Sequence, residues 1–81
     1  MVKQEKEKKD KHVREIESSV KIFKKGDSIS IHVYGILTAI VGRYYEHKVD
    51  HENSEGVLTY IDELDKHQQY SFNLIESVKW A

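Results

Sequence analysis

The sequence predicts a mainly β fold, a small curled five-stranded barrel preceded by one charged N-terminal α-helix. Three observations predict it. The first is the run from Gly56 to Trp80, GVLTYIDELDKHQQYSFNLIESVKW, the densest apolar stretch in the chain. Val57, Leu58, Tyr60 and Ile61 are strand formers, and Asp62 to His67 is a polar turn. Tyr70 and Phe72 then alternate with Ser71 and Asn73, and Leu74, Ile75, Val78 and Trp80 close the segment. A hairpin with a short return is marginal in water by itself, so the earlier chain must supply further strands to bury it. The second observation is the period-two pattern of Ile29, Ile31 and Val33 against Ser28, Ser30, His32 and Tyr34, a strand with one buried face. The third is the recurrence of Val13, Ile16, Val20 and Phe23 on one helical stripe. That stripe needs a surface to cover. Two heptads are too short for a coiled-coil seam between two chains, so the expected surface is one open end of the barrel.

With 81 residues the chain makes one domain, organised as a charged helix over residues 1–26 and a barrel over residues 27–81. The absence of Cys excludes a disulfide frame, a thiolate zinc site and a cysteine nucleophile. The N-terminus is charged but no apolar run follows it, and the longest apolar stretch is far too short to span a bilayer. No signal peptide is expected, and a cytoplasmic location is. The net charge of −1 conceals an asymmetry: residues 1–26 carry nine Lys or Arg against five acids, and residues 27–81 carry four against nine. A basic arm on an acidic body suits a tail that meets nucleic acid or another anionic partner, and equally a solvated Lys-rich helix.

In chain order, Met1 to Lys25 reads as helix, supported by acid-then-base pairs at i,i+4: Glu5 with Lys9, Glu7 with Lys11, Asp10 with Arg14 and Glu17 with Lys21. Lys24, Lys25, Gly26 and Asp27 are expected to end it, with cations at the negative end of the dipole and a glycine at the cap. His32 falls on the polar face of the first strand. Gly35 and Ile36 to Tyr45 form a second apolar run, in which Gly42 marks a bulge or a bend. Tyr44 and Tyr45 are adjacent and point to opposite faces. The stretch EHKVDHENSE between Tyr45 and Gly56 reads as a polar loop or long hairpin. His47 and His51 are four apart within it, a spacing that would align two imidazoles on a helix, but a loop lacks the rigid frame a metal needs, and no metal is expected. No nucleophile with its base, no phosphate-cradling glycine loop and no carboxylate pair in apolar surroundings is legible. A protein without catalytic residues or cofactor is therefore expected.

A helix followed by about five short strands, with a bent second strand and a tight return at the end, matches the small Sm-like or SH3-like barrel architecture. The C-terminal half carries a more specific resemblance. Its strand GVLTYID, the turn ELDKH, Tyr70-Ser71-Phe72, and Leu74-Ile75-Glu76-Ser77-Val78 together resemble the tail of the YolD-like family of bacterial and phage proteins. That family has a G-x-[IL]-x-x-[IL]-D strand, a short polar turn and a terminal I-x-x-[IV] piece. The charged helix and the strand Ser28 to Tyr34 fall where the family has its own, so the resemblance covers about 55 residues. The family's basic, Trp-containing segment ahead of the helix is missing, and the loop Glu46 to Glu55 is longer and more acidic than the family pattern. The resemblance implies no catalytic residue. It implies a non-enzymatic accessory factor in DNA damage response, or a phage-borne equivalent, because the family neighbours translesion-type DNA polymerases in genomes.

The function expected from these readings is that of a protein-interaction adaptor, docking a protein partner through an exposed strand edge or through Tyr44, Tyr45 and Trp80. Two alternatives stand beside it. One is a weak nucleic-acid binder using Lys8, Lys9, Lys11 and Arg14, and the other is an Sm-like ring-forming RNA binder, a homo-oligomer closed by paired edges. No membrane partner is expected.

Overall fold

The computed structural model describes the backbone of residues 2–81 and the side chains of residues 7–81. Helix α1 (Val2–Val20) leads into β1 (Ser28–Val33), β2 (Ile40–Asp50), β3 (Glu55–Ile61) and β4 (His67–Ser71). A one-turn 3₁₀ helix (Phe72–Leu74) then joins β4 to β5 (Ile75–Trp80). The strands form one antiparallel sheet in the order β4-β3-β2-β1-β5. The fold is mainly β with one N-terminal helix, as predicted. The sheet curls without closing, because the 3₁₀ turn carries the chain from one edge of the sheet to the other and leaves β4 and β5 unpaired with each other.

The predicted stripe is buried in full: Val13, Ile16, Val20 and Phe23 join Ile29, Ile31, Val33, Tyr44, Leu58, Tyr60, Phe72, Ile75 and Val78 in one core. The helix itself is shorter than Met1 to Lys25. It stops at Val20 after Ser18 and Ser19, which are weaker helix formers than Ala or Leu. Phe23 therefore enters the core from the connecting loop. Gly26 does take a left-handed φ of 97°, but in a turn beyond the end of the helix at Val20, where the Asp27 carboxylate accepts from the Lys24 amide at 2.8 Å. Of the expected helix pairs, Glu5 with Lys9 lies outside the described side chains, and none of the others forms an ion pair among the described residues. Glu17 instead places Oε2 3.2 Å from His51 Nε2, tying α1 to the β2–β3 turn. A second tie is stronger in geometry. His12 Nε2 lies 3.0 Å from the Phe72 carbonyl and 2.8 Å from that of Ile75, and two carbonyl acceptors require the proton on Nε2.

The second strand departs from expectation in both directions. Tyr34 to Ala39 is turn and bend, and β2 runs on to Asp50, so that Glu46 to Asp50 is strand instead of loop. The polarity of EHKVD reflects a strand whose outer face is solvated, and alternation hides easily where the apolar partners are His and Val. The bulge lies at Tyr45, between the Tyr44–Tyr60 and Glu46–Thr59 pairs, three residues beyond Gly42. Gly42 serves close approach: a Cβ there would lie 2.5 Å from the Tyr60 ring.

The β3–β4 turn is organised by Asp62, whose carboxylate accepts from the amides of Leu64 at 2.9 Å and Lys66 at 3.0 Å and from the Gln68 side chain at 2.9 Å. The Gln68 and backbone hydrogen bonds hold its pKa below the usual carboxylate value. A depressed folded-state pKa contributes stability that is present above the unfolded value, about 3.9, and is lost as pH falls through the folded one. Asp62→Asn is therefore expected to melt below wild type at neutral pH, with the gap narrowing as the pH is taken below 4. Thermal melts of both proteins across acid pH measure this, and a gap that stays constant would contradict it.

Candidate functional site

The site begins at the two ends of the sheet. Within the described chain β4 pairs only with β3 and β5 only with β1, so each has one row of backbone donors and acceptors without a strand partner, although His12 of α1 takes the Ile75 carbonyl at the start of the β5 row. The devices that usually blunt such edges are sparse. β4, HQQYS, contains neither Lys nor Pro, and β5, IESVKW, has Lys79 as its one cation.

The three aromatic candidates separate by burial. Tyr44 faces the core at 8 % exposure, with its phenol 2.6 Å from His47 Nδ1. Burial, with Glu46 adding to it, pushes its pKa up, so the phenol stays protonated and donates to the imidazole. Tyr45, at the bulge, faces the other way and is half-buried. Its ring meets the edge of His67 at 4.5 Å between centroids, and Lys25 Nζ sits 4.3 Å over it. Trp80 ends β5 with 59 % of its surface exposed and makes an edge-to-face contact with Phe23 at 4.7 Å. Tyr45 and Trp80 are thus the outward pair, and Tyr44 is a core residue.

Lys8, Lys9, Lys11 and Arg14 are all exposed on α1. Lys11 and Arg14 share a shallow surface with Glu7, Asp10 and Glu15, whose carboxylates offset their charge. Lys9 stands apart from them, lining a cavity with residues of the β2–β3 hairpin and the β4–β5 connection. His47 and His51 do not converge: the first bonds Tyr44 from within β2 and the second meets Glu17 from the turn. Among the described residues no group of three or more His, Asp or Glu side chains is placed to hold a metal. No helix among the described residues is long and apolar enough to cross a membrane.

Two features of this surface carry no signal in the sequence. His12 looks like one more polar residue of a charged helix, and its carbonyl partners lie 60 and 63 positions away. The cavity at Lys9 likewise draws on three separate segments. The fold and its surface define a small open-sheet β domain with two free edges and an outward aromatic pair. No family model, no curated protein and no solved structure matches the chain.

Proposed function

We propose that this chain is a non-enzymatic, cytoplasmic interaction module that docks a protein partner, or a second copy of itself, by strand addition at a sheet edge. The observation that carries this reading is the pair of unpaired edges, β4 and β5, offered by one short domain with few residues to guard them. Main-chain hydrogen bonds along an edge supply affinity, and side chains beside it supply selectivity. Trp80, exposed at the end of β5, is suited to the second task. The resemblance to the YolD-like family agrees with an accessory role of this kind, in DNA damage response or in a phage equivalent.

Light scattering across ionic strength tests the self-docking form. Edge pairing supported by apolar contacts is expected to give a dimer or ring that persists in high salt. A complex that dissociates with salt would instead reflect the basic helix of one copy meeting the acidic body of another. A monomer at every salt and protein concentration would remove self-association and leave the heterologous partner alone.

A further inference from the structure

The two sheet edges are not equivalent. At β5 the Ile75 carbonyl is taken by His12, and α1 packs against the strand. At β4 the residues His67, Gln68 and Gln69 are exposed. The β3–β4 turn fixes which backbone groups of β4 are free. Asp65 takes a left-handed φ of 61°, its N–H donates to the Asp62 carbonyl at 3.0 Å, and the Asp62 N–H donates to the Lys66 carbonyl at 2.9 Å. In an antiparallel ladder, pairs that exchange hydrogen bonds alternate with pairs that do not. Continuing from the bonded pair Asp62–Lys66, the pairs Tyr60–Gln68 and Leu58–Tyr70 exchange bonds, and Ile61–His67, Thr59–Gln69 and Val57–Ser71 do not. The N–H and C=O of His67 and Gln69, with the N–H of Ser71, therefore point away from β3. The Ser71 carbonyl belongs to the 3₁₀ turn that Ser71 caps.

We propose that β4 pairs antiparallel with β4 of a second copy of this chain, about a twofold axis at Gln69, an inference that rests on the reading of the sheet edges as docking sites. The Gln69 N–H of each copy donates to the Gln69 carbonyl of the other, and the Ser71 N–H donates to the opposite His67 carbonyl. The row is complementary to itself, since HQQYS sets no acid, Lys or Arg against its own copy and Gln69 meets Gln69 as two neutral amides. The charges beyond the strand set its direction. Glu63 and Asp65 lie in the turn before β4, and Lys9 lines a cavity with Ser71 and Asn73 at the other end of the strand. An antiparallel pair brings the acidic turn of one copy toward Lys9 of the other, and the twofold axis repeats the contact. A parallel pair would instead set the two acidic turns side by side. With only five residues in β4 the bonded row is short, so the dimer forms as concentration rises. Its charges are exposed, and salt loosens the pair without abolishing what the backbone bonds hold.

Analytical ultracentrifugation of the full chain across protein concentration, in low and high salt, tests this together with amide hydrogen exchange. A reversible dimer is expected, in which the Gln69 and Ser71 amides gain protection as it forms while those of Gln68 and Tyr70, already bonded to β3, do not change. Gln69→Lys and Gln69→Glu each set like charges opposite one another across the axis, and each is expected to weaken the dimer about fivefold. Both should melt near wild type, because the Gln69 side chain is exposed. Mixing the two variants is expected to restore pairing as a heterodimer, a result that requires residue 69 of one copy to face residue 69 of the other. A dimer unmoved by either variant overturns the proposal and assigns self-docking to β5. One that dissolves in high salt overturns it in favour of the charged helix. A wild-type monomer at every concentration also overturns it and leaves edge docking to a heterologous partner. The first and last of these results leave edge docking standing, so failure of this pairing is separable from failure of that reading.

Discussion

Phe72→Ala is expected to cost about 3–5 kcal/mol, the usual penalty for truncating a fully buried aromatic side chain. The ring is wholly inaccessible and sits in the 3₁₀ turn that carries the chain between the two sheet edges. It packs on the backbone of Gly56, and its carbonyl is one of the two that hold His12. Removing it opens a cavity beneath the β2–β3 hairpin and the helix together. Set against a total stability of about 4–12 kcal/mol for a domain of this length, the loss would leave a large unfolded fraction at room temperature. Chemical denaturation reads it directly, and a change below about 1 kcal/mol would place Phe72 outside the centre of the core. The same contact explains Gly56. Alanine there must displace the Phe72 ring, and the cost should shrink in a Phe72→Leu background, where the side chain is smaller.

Phe23→Ala is expected to cost about 3 kcal/mol. Phe23 is the last residue of the apolar stripe, but it lies beyond α1, and so anchors the loop by which the helix is held to β1. Its ring touches Trp80 edge-on at 4.7 Å and lies 6.1 Å from Tyr44, making it the contact between the helix end and the C-terminal strand. Trp80 is the chain's one tryptophan, so its fluorescence reports the surroundings of this indole, Phe23 among them. A lower melting midpoint together with a shifted Trp80 emission is the expected result. An unchanged midpoint would mean that the loop after α1 carries no part of the stability.

Much of the fold was legible because its apolar positions repeat at the period of the element that bears them. Ile29, Ile31 and Val33 stand two apart and Val13, Ile16 and Val20 stand three and four apart, and each set is buried where that spacing requires. The β3–β4 turn was legible for a similar reason, since Asp62 and its neighbours have local partners. The course of β2 was not. Its second half, Glu46 to Asp50, is polar in sequence because only one face of the strand is covered, and His47 is half-buried by a tyrosine phenol that no spacing could assign to it. The curl without closure, the two free edges and the 3₁₀ turn between them likewise follow from where strands 4 and 5 end up, not from what either contains. By itself the sequence determined the helix stripe, the inward face of β1, the hairpin of β3 and β4, and the contrast between basic arm and acidic body, because these are local patterns and summed charges. Only the tertiary structure decided which tyrosine faces out, how His12 and Glu17 tie the helix down, and that Lys9, Ser54, Ser71 and Asn73 share one cavity. Such contacts join residues tens of positions apart, and their partners become neighbours only when the sheet has curled beneath the helix.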